Sequence, residues 1–341
     1  MTTTTERTAA AINRLLDSWA DRYRPESMST DWGQTLLAYG VATGTALTEN
    51  EKGREFLDRW LSYHLSAGVH LTYFVGSWGI GLLYPEIVDA YPRYGHELRA
   101  LAARLDEMIR AKSLRNGRGV ILHNVDLPHI YVDTVYYTCP VLARLGATLC
   151  RDDWRDEAIT QLEGHCRVLN IPGTPFYVHC EQNLSGLRSE GAWGRGNGWV
   201  IMTCGELLPF SPSGSPARAS IEAILLPMLE ALLPLQTTDG MWRTILDHPT
   251  AYPESSTTAM ILFGMMRARR AGYGDERYDE AIARGIEAVI ASIDADGRFL
   301  GASEGTWPGT IDYYLSLERG EWWWGTGAAL LALAEHHRFV S

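Results

Sequence analysis

Apolar residues recur at steps of three and four along most of the chain. Ile12, Leu15, Leu16 and Trp19 form one such stripe, and Ile221, Ile224, Leu225, Met228 and Leu232 another. That spacing puts one greasy face on a helix, and sustained strand alternation is hard to find. Start signals predict helices over about 6–23, 32–47, 51–67, 78–91, 94–112, 133–148, 152–168, 195–207, 217–235, 255–271, 276–292 and 325–338. Twelve helices in 341 residues leave roughly 28 for each helix and its connection, which suits repeated helical hairpins. Six hairpins closed into a ring give an all-α (α/α)6 barrel: inner helices packed on outer ones, with loops around a funnel at one end. An open helical solenoid is the competing shape. Ser211–Pro216 and Asp239-Gly240 are too short to be tethers, so a single toroid domain over 1–341 is expected.

With 46% hydrophobic and 21% charged residues, the chain can build a sizeable core. A net charge of −11 argues against nucleic acid, whose binding needs clustered cations. The Met1–Glu6 run does not open a leader, and no apolar span is long enough for a bilayer, so a cytoplasmic protein is expected. Cys139, Cys150, Cys166, Cys180 and Cys204 are odd in number and widely spaced, which suggests reduced core residues. The histidines show no ligand spacing, His336-His337 included. No metal or other cofactor is expected, and the oligomeric state is left open.

The long connections near 113–132, 169–194, 237–254 and 293–324 carry His, Trp, Tyr, Asp and Glu, as loops at an active site do. Gly297–Gly301 reads as a short strand or hairpin on that rim. The densest stretch is Trp193-Gly194-Arg195-Gly196-Asn197-Gly198-Trp199. Glycine allows close backbone approach, indole offers a flat wall, and the arginine fork suits a carboxylate. The plain alternative is a tight structural turn. A second stretch, His123–Thr134, sets imidazoles and acids directly before a helix, so Asp133 is either a cap or a catalyst.

Here the pattern becomes specific. Val132-Asp133-Thr134-Val135-Tyr136-Tyr137 with Pro140–Arg144, then Trp193–Trp199, resembles the unsaturated glucuronyl and rhamnogalacturonyl hydrolases of glycoside hydrolase families 88 and 105. Tyr252-Pro253-Glu254-Ser255-Ser256, Glu304-Gly305-Thr306 and Gly325-Thr326-Gly327-Ala328 extend the match over the last two thirds of the chain. The resemblance implies the same (α/α)6 barrel and a cofactor-free reaction. An enzyme acid protonates C4 of a 4,5-unsaturated uronic acid, water adds at C5, and the opened sugar releases its glycosidic partner. Asp133 aligns with the acid/base aspartate. Arg195 would then hold the substrate carboxylate, Trp193 or Trp199 would stack on the ring, and His179 would assist binding or position water. His123, His129, Asn197, Trp78, Trp242 and Trp307 complete the expected lining of a site for a small anionic or sugar-like molecule. Tyr252, Tyr313, Tyr314 and Trp322–Trp324 fit either pocket or core, and Glu254 reads better as a helix cap than as a catalyst.

One departure stands out. The second aspartate of those enzymes falls at Gly76 or Ser77 here, and Glu86 and Asp89 sit too deep in the following helix to replace it. Either another acid such as Asp126 substitutes, or the substrate differs, or catalysis is lost. Three functions follow: an unsaturated uronyl hydrolase, a lyase, isomerase or cyclase of specialised metabolism using Asp133, and a noncatalytic ligand-binding barrel. A zinc cyclase barrel lacks its ligand trio, and the motifs around Asp126 and Asp133 do not match a two-acid glucanase barrel.

Overall fold

The computed structural model describes residues 4–112, 115–124, 126 and 128–341; Met1–Thr3 of the N-terminal run, and Val125 and Leu127 of the His123–Thr134 stretch, lie outside them. Among these residues the α-helices are α1 (Thr4–Arg22), α2 (Trp32–Thr48), α3 (Glu51–Ala67), α4 (Glu86–Ala90), α5 (Gly95–Lys112), α6 (Asp133–Thr148) and α7 (Asp152–Leu169). They continue as α8 (Gly194–Leu207), α9 (Pro216–Leu232), α10 (Ser255–Arg270), α11 (Glu276–Ala291), α12 (Ile311–Ser316) and α13 (Trp323–Val340). Two antiparallel pairs, β1 (Ile130–Tyr131) with β2 (Cys180–Glu181) and β3 (Ala302–Ser303) with β4 (Arg319–Gly320), lie in the connections.

The packing closes a ring. α2 meets the 3₁₀ segment Val75–Leu83, which meets α6, then α8, α10, α13 and α2 again. Outside it, α1, α3, α5, α7, α9 and α11 complete the (α/α)6 barrel. Burial separates the rings as the residue patterns require. Outer α1 buries one stripe, Thr8, Ala11, Ile12, Leu15, Leu16 and Trp19, whereas every residue of inner α8 is buried. Small residues let the inner helices touch: a Cβ on Gly40 would stand 2.8 Å from the Gly327 carbonyl of α13. Four cysteines are buried as free thiols and Cys150 is exposed.

One expected helix, 78–91, is not continuous. Val75–Leu83 winds as a 3₁₀ helix and α4 follows as a separate turn. Three glycines weaken the α-form there, and Pro85 removes a backbone donor. The 217–235 helix likewise ends at Leu232 and tightens into a 3₁₀ turn around Pro234. The sequence reading missed α12, a short helix inside the 293–324 connection.

Inner helices α2, α6, α8, α10 and α13 run in parallel. Their N-terminal residues gather at one end, where Trp32 stacks on Trp324 at 4.6 Å and the Tyr137 hydroxyl donates to the Trp32 carbonyl at 3.0 Å. Their C-terminal halves gather at the other. There Arg144 reaches Glu206 at 2.6 Å and Glu86 at 2.7 Å, and the Tyr39 hydroxyl donates to Glu206 at 2.9 Å. Arg267 and Arg270 pair with Glu335 at 2.7 and 2.6 Å in the same region. Cations thus meet the negative ends of the helix dipoles, and the positive ends face the opposite mouth.

Candidate active site

That mouth holds a cavity of about 310 Å³ lined by Trp32, Phe74, His123, Asn124, Tyr131, Asp133, Tyr137, His179 and the loop Gly305–Trp307. Strand pairing assembles its centre. β1 runs antiparallel to β2 with Tyr131 opposite Cys180, and the Val132 N–H donates to the His179 carbonyl at 2.9 Å. Two residues past Tyr131, Asp133 opens α6 and sets its Oδ2 3.4 Å from His179 Nε2. The contact is an ion pair only when His179 is protonated, which burial of that imidazole opposes, and Oδ2 is a buried oxygen without a formed hydrogen bond. The other side of His179 is equally fixed. His179 stacks on Trp193 with ring centroids 3.9 Å apart, and its Nδ1 lies 3.2 Å from the Tyr314 hydroxyl. His123 Nδ1 is 2.8 Å from Thr134 Oγ1, and its ring lies against Tyr131.

Burial works to raise the Asp133 carboxyl, but His179, followed by His123 and Arg195, outweighs it and holds the group below its ordinary value. Burial pushes His123 down to about 4, so this imidazole is neutral near pH 7. Among the described lining residues Asp133 is the one carboxylate, and neither Arg nor Lys lines the wall. With no side-chain cation among the described lining residues, Arg195, one layer behind the wall, and the converging helix N-termini supply the positive potential that reaches Asp133.

Arg195 stands one layer back. It is buried, and its guanidinium donates to the Ser303 carbonyl and hydroxyl at 3.0 and 2.7 Å, to the Glu304 carbonyl at 2.9 Å and to Thr306 Oγ1 at 2.6 Å. The residue expected to meet the substrate carboxylate instead clamps the Ser303–Thr306 segment, whose end lines the cavity. Glu254 caps α10 through Thr257 N–H and also accepts from Ser303 N–H at 2.7 Å, so both motif residues hold this segment. Asn197 spends its amide on Tyr177 and Trp193 backbone groups. Trp193 is buried behind His179, Trp199 packs on Tyr136 and Tyr137, and the indole N–H groups of Trp242 and Trp78 donate to the carbonyls of Leu232 and Thr72.

Of the expected site residues, His123, Asp133, His179 and Trp307 line the cavity, and His129 lines a neighbouring cleft together with Trp307. Trp32, Phe74, Asn124, Tyr131 and Tyr137 were missed. Tyr131 and Tyr137 flank Asp133 in sequence and were readable from it, whereas Trp32, at the start of α2, and Phe74, in a connection, arrive from far along the chain without a local signal.

Gly76 and Ser77, where the second acid of the resembling enzymes is expected to fall, are closely packed. Ser77 Oγ is engaged with Thr72, accepting from its N–H at 3.0 Å, and a Cβ added to Gly76 would meet the Phe74 ring at 2.5 Å. Asp126 is exposed and does not line the cavity. Gly76→Asp is therefore expected to lower stability by about 1–3 kcal/mol through overpacking. An unchanged urea midpoint would show that Phe74 moves aside freely.

A closed helical toroid whose mouth holds, among the described lining residues, one carboxylate between imidazoles and aromatic walls defines an (α/α)6 barrel with its candidate site at that mouth. The description of Glycosyl Hydrolase Family 88 matches residues 6–340, and the chain belongs to that family. It is 28% identical over 334 residues to the unsaturated rhamnogalacturonyl hydrolase YesR of Bacillus subtilis (strain 168), covering 95% of this chain and 94% of that one. An unsaturated 3S-rhamnoglycuronyl hydrolase of Alteromonas sp. (strain LOR) is 31% identical over 147 residues, 42% of this chain and 34% of that one. In fold, the chain superposes with a TM-score of 0.89 on a possible GH105 member from Salmonella enterica serovar Paratyphi A, at 21% identity and covering 100% and 96% of the two chains. These matches agree with the barrel and the glycoside hydrolase class expected from sequence. No helix among the described residues is long and apolar enough to cross a membrane.

Proposed function

We propose that this enzyme hydrates a 4,5-unsaturated uronide, with Asp133 as its acid and then its base. The observation that carries the reading is the single carboxylate among the described residues that line the cavity. Direct displacement at an anomeric carbon takes two carboxyl groups flanking the bond, whereas hydration of an enol ether takes one. Asp133 would give its proton to C4, the positive charge would develop at C5 beside the ring oxygen, and water would add there. The water's proton returns to Asp133, the hydrated ring opens, and the leaving sugar departs, so the balance is substrate plus one water. Neutral His123 and the His179 ring would orient substrate and water, and Trp32, Phe74, Tyr137 and Trp307 would pack on the sugar. The relatives named for unsaturated rhamnogalacturonyl and rhamnoglycuronyl substrates support this reading.

The test is incubation with a 4,5-unsaturated uronide while following the ultraviolet absorbance of its conjugated double bond. Loss of absorbance with release of the partner supports the proposal, and a flat trace overturns it. Phe74 filling the space beside Gly76 favours a second reading, a related enol ether with fewer hydroxyl groups on that side. Turnover of such a compound alongside a flat uronide trace would select it.

A pH dependence follows from the Asp133 environment. The acid must be protonated to act, so kcat/KM should fall as pH rises through the depressed value of the free enzyme. A substrate carboxylate bound beside Asp133 disfavours its ionisation and raises that value. The falling limb of kcat is therefore expected at higher pH than the limb of kcat/KM. Coincident limbs between pH 4 and 8 would place the substrate carboxylate away from Asp133.

A further inference from the structure

Tyr314, on α12, is fully buried and is not among the residues that line the cavity, yet its hydroxyl lies 3.2 Å from His179 Nδ1. We propose that this phenol is a positioning residue: it donates its proton to Nδ1 and so fixes His179 as the tautomer that carries its proton on Nε2, the nitrogen facing Asp133. The part this plays in catalysis rests on the hydration reading above.

The hydrogen bonds around the phenol set its direction. The Gly309 N–H, which can only donate, meets the Tyr314 oxygen at 3.1 Å. Ser189 Oγ accepts from the Cys180 N–H at 3.0 Å, and its own proton turns to the same phenol oxygen. With donors on its lone pairs, the phenol has one hydrogen left to place, and the acceptor it meets is Nδ1. Burial pushes the Tyr314 hydroxyl up to about 12, against the Gly309 and Ser189 bonds, so that hydrogen is present throughout the working pH range. Burial likewise lowers His179, against the pull of Asp133, and leaves the imidazole neutral near pH 7. A neutral imidazole that accepts at one nitrogen donates from the other.

The ring is held in this orientation from several elements. Trp193 stacks on it with centroids 3.9 Å apart, and Tyr131 stands edge-on at 5.7 Å. The titratable and charged groups around it are Asp133 from α6, Tyr131 from β1, Tyr314 from α12 and, through space, Arg195 from α8 and His123. Tyr314 is the group at Nδ1 and Asp133 the group at Nε2. The tautomer therefore gives the two Asp133 oxygens different duties. An Nε2–H aimed at the buried Oδ2, 3.4 Å away, makes that oxygen an acceptor and leaves the transferable proton on Oδ1. Once C4 has taken that proton, the new carboxylate already faces a donor. The opposite tautomer would aim a lone pair at Oδ2, accept the acid's proton there and hold it away from the double bond.

Nitrogen NMR of the intact protein labelled at histidine reads the tautomer directly, with the His179 signals identified by their absence from a His179→Gln variant. An unprotonated Nδ1 and a protonated Nε2 are expected at neutral pH; a proton on Nδ1 overturns the proposal, and this measurement needs neither substrate nor turnover. In Tyr314→Phe the preference should be lost, and kcat on a 4,5-unsaturated uronide should fall by on the order of tenfold to a hundredfold, short of the whole contribution of the acid. KM should stay within about twofold, because the phenol does not touch the substrate. With Nε2–H no longer held towards Oδ2, the Asp133 carboxyl rises, so the falling limb of kcat/KM should move up by about one pH unit. A raised KM with that limb in place would make the phenol a support for Gly309 alone and overturns the proposal. A flat uronide trace from native protein that shows the expected tautomer overturns the hydration reading and leaves the tautomer assignment standing.

Discussion

Asp133→Asn is expected to lower hydrolysis of a 4,5-unsaturated uronide by roughly 10²- to 10⁴-fold, the range supplied by a positioned acid or base. The carboxamide has nearly the same shape, so α6 still starts at this residue and the β1–β2 pairing that delivers it is untouched. What disappears is the proton for C4 and the oxygen that takes one back from water. No other described lining residue is a carboxyl group, and burial keeps His123 neutral near pH 7, so neither step has a substitute. Thermal unfolding should shift by about a degree or less, because the carboxamide fills the same space and the buried Oδ2 has no hydrogen bond to lose, a change worth a fraction of a kcal/mol. Steady-state kinetics with matched scanning calorimetry decide it. Activity retained within tenfold would remove Asp133 from the chemistry, and a collapsed fold would show that it is structural.

The second large effect concerns the other end of the barrel and stability rather than rate. Glu206→Ala is expected to destabilise the protein by about 3–5 kcal/mol, because it leaves the buried Arg144 guanidinium facing an empty site. Glu206 and Arg144 side chains are 1% and 4% exposed, and Tyr39 would lose its acceptor as well. At this chain length the loss corresponds to roughly 5 °C in unfolding temperature. Burial works to raise the Glu206 carboxyl, but Arg144 and Arg267 hold it below its ordinary value. A depressed carboxylate contributes stability above its unfolded value and loses it as pH falls through the folded one. The difference between the native protein and Glu206→Ala should therefore shrink on acidification. A shift below one degree at pH 7 would mean that Glu86, also bonded to Arg144, suffices.

Much of this molecule is legible from its residues in order. Helices over 51–67 and 133–148 appear where the spacing puts them, since a cap, a stripe and a run of helix formers are all local features. Helix number and spacing left a closed ring beside an open solenoid, and the family resemblance favoured the ring. The candidate acid was readable as well, because its position before a helix and the residues around it are contiguous.

The fate of the motif at Trp193–Trp199 was not readable. An arginine between two indoles suits a carboxylate in any local view, yet Arg195 is consumed by partners 108 to 111 positions away. Trp199 and Trp242 are core, and Trp307 is wall, for the same reason: indole serves both, and its neighbours come from elsewhere in the chain. Phe74 is the clearest case, since its ring fills the space where a Gly76 side chain would project. The sequence alone determined most of the helices, because periodicity and capping act over a few residues, and its family resemblance put the ring and Asp133 forward as expectations. Only the tertiary structure decided which side chains face the cavity, because that depends on contacts between residues a hundred positions apart.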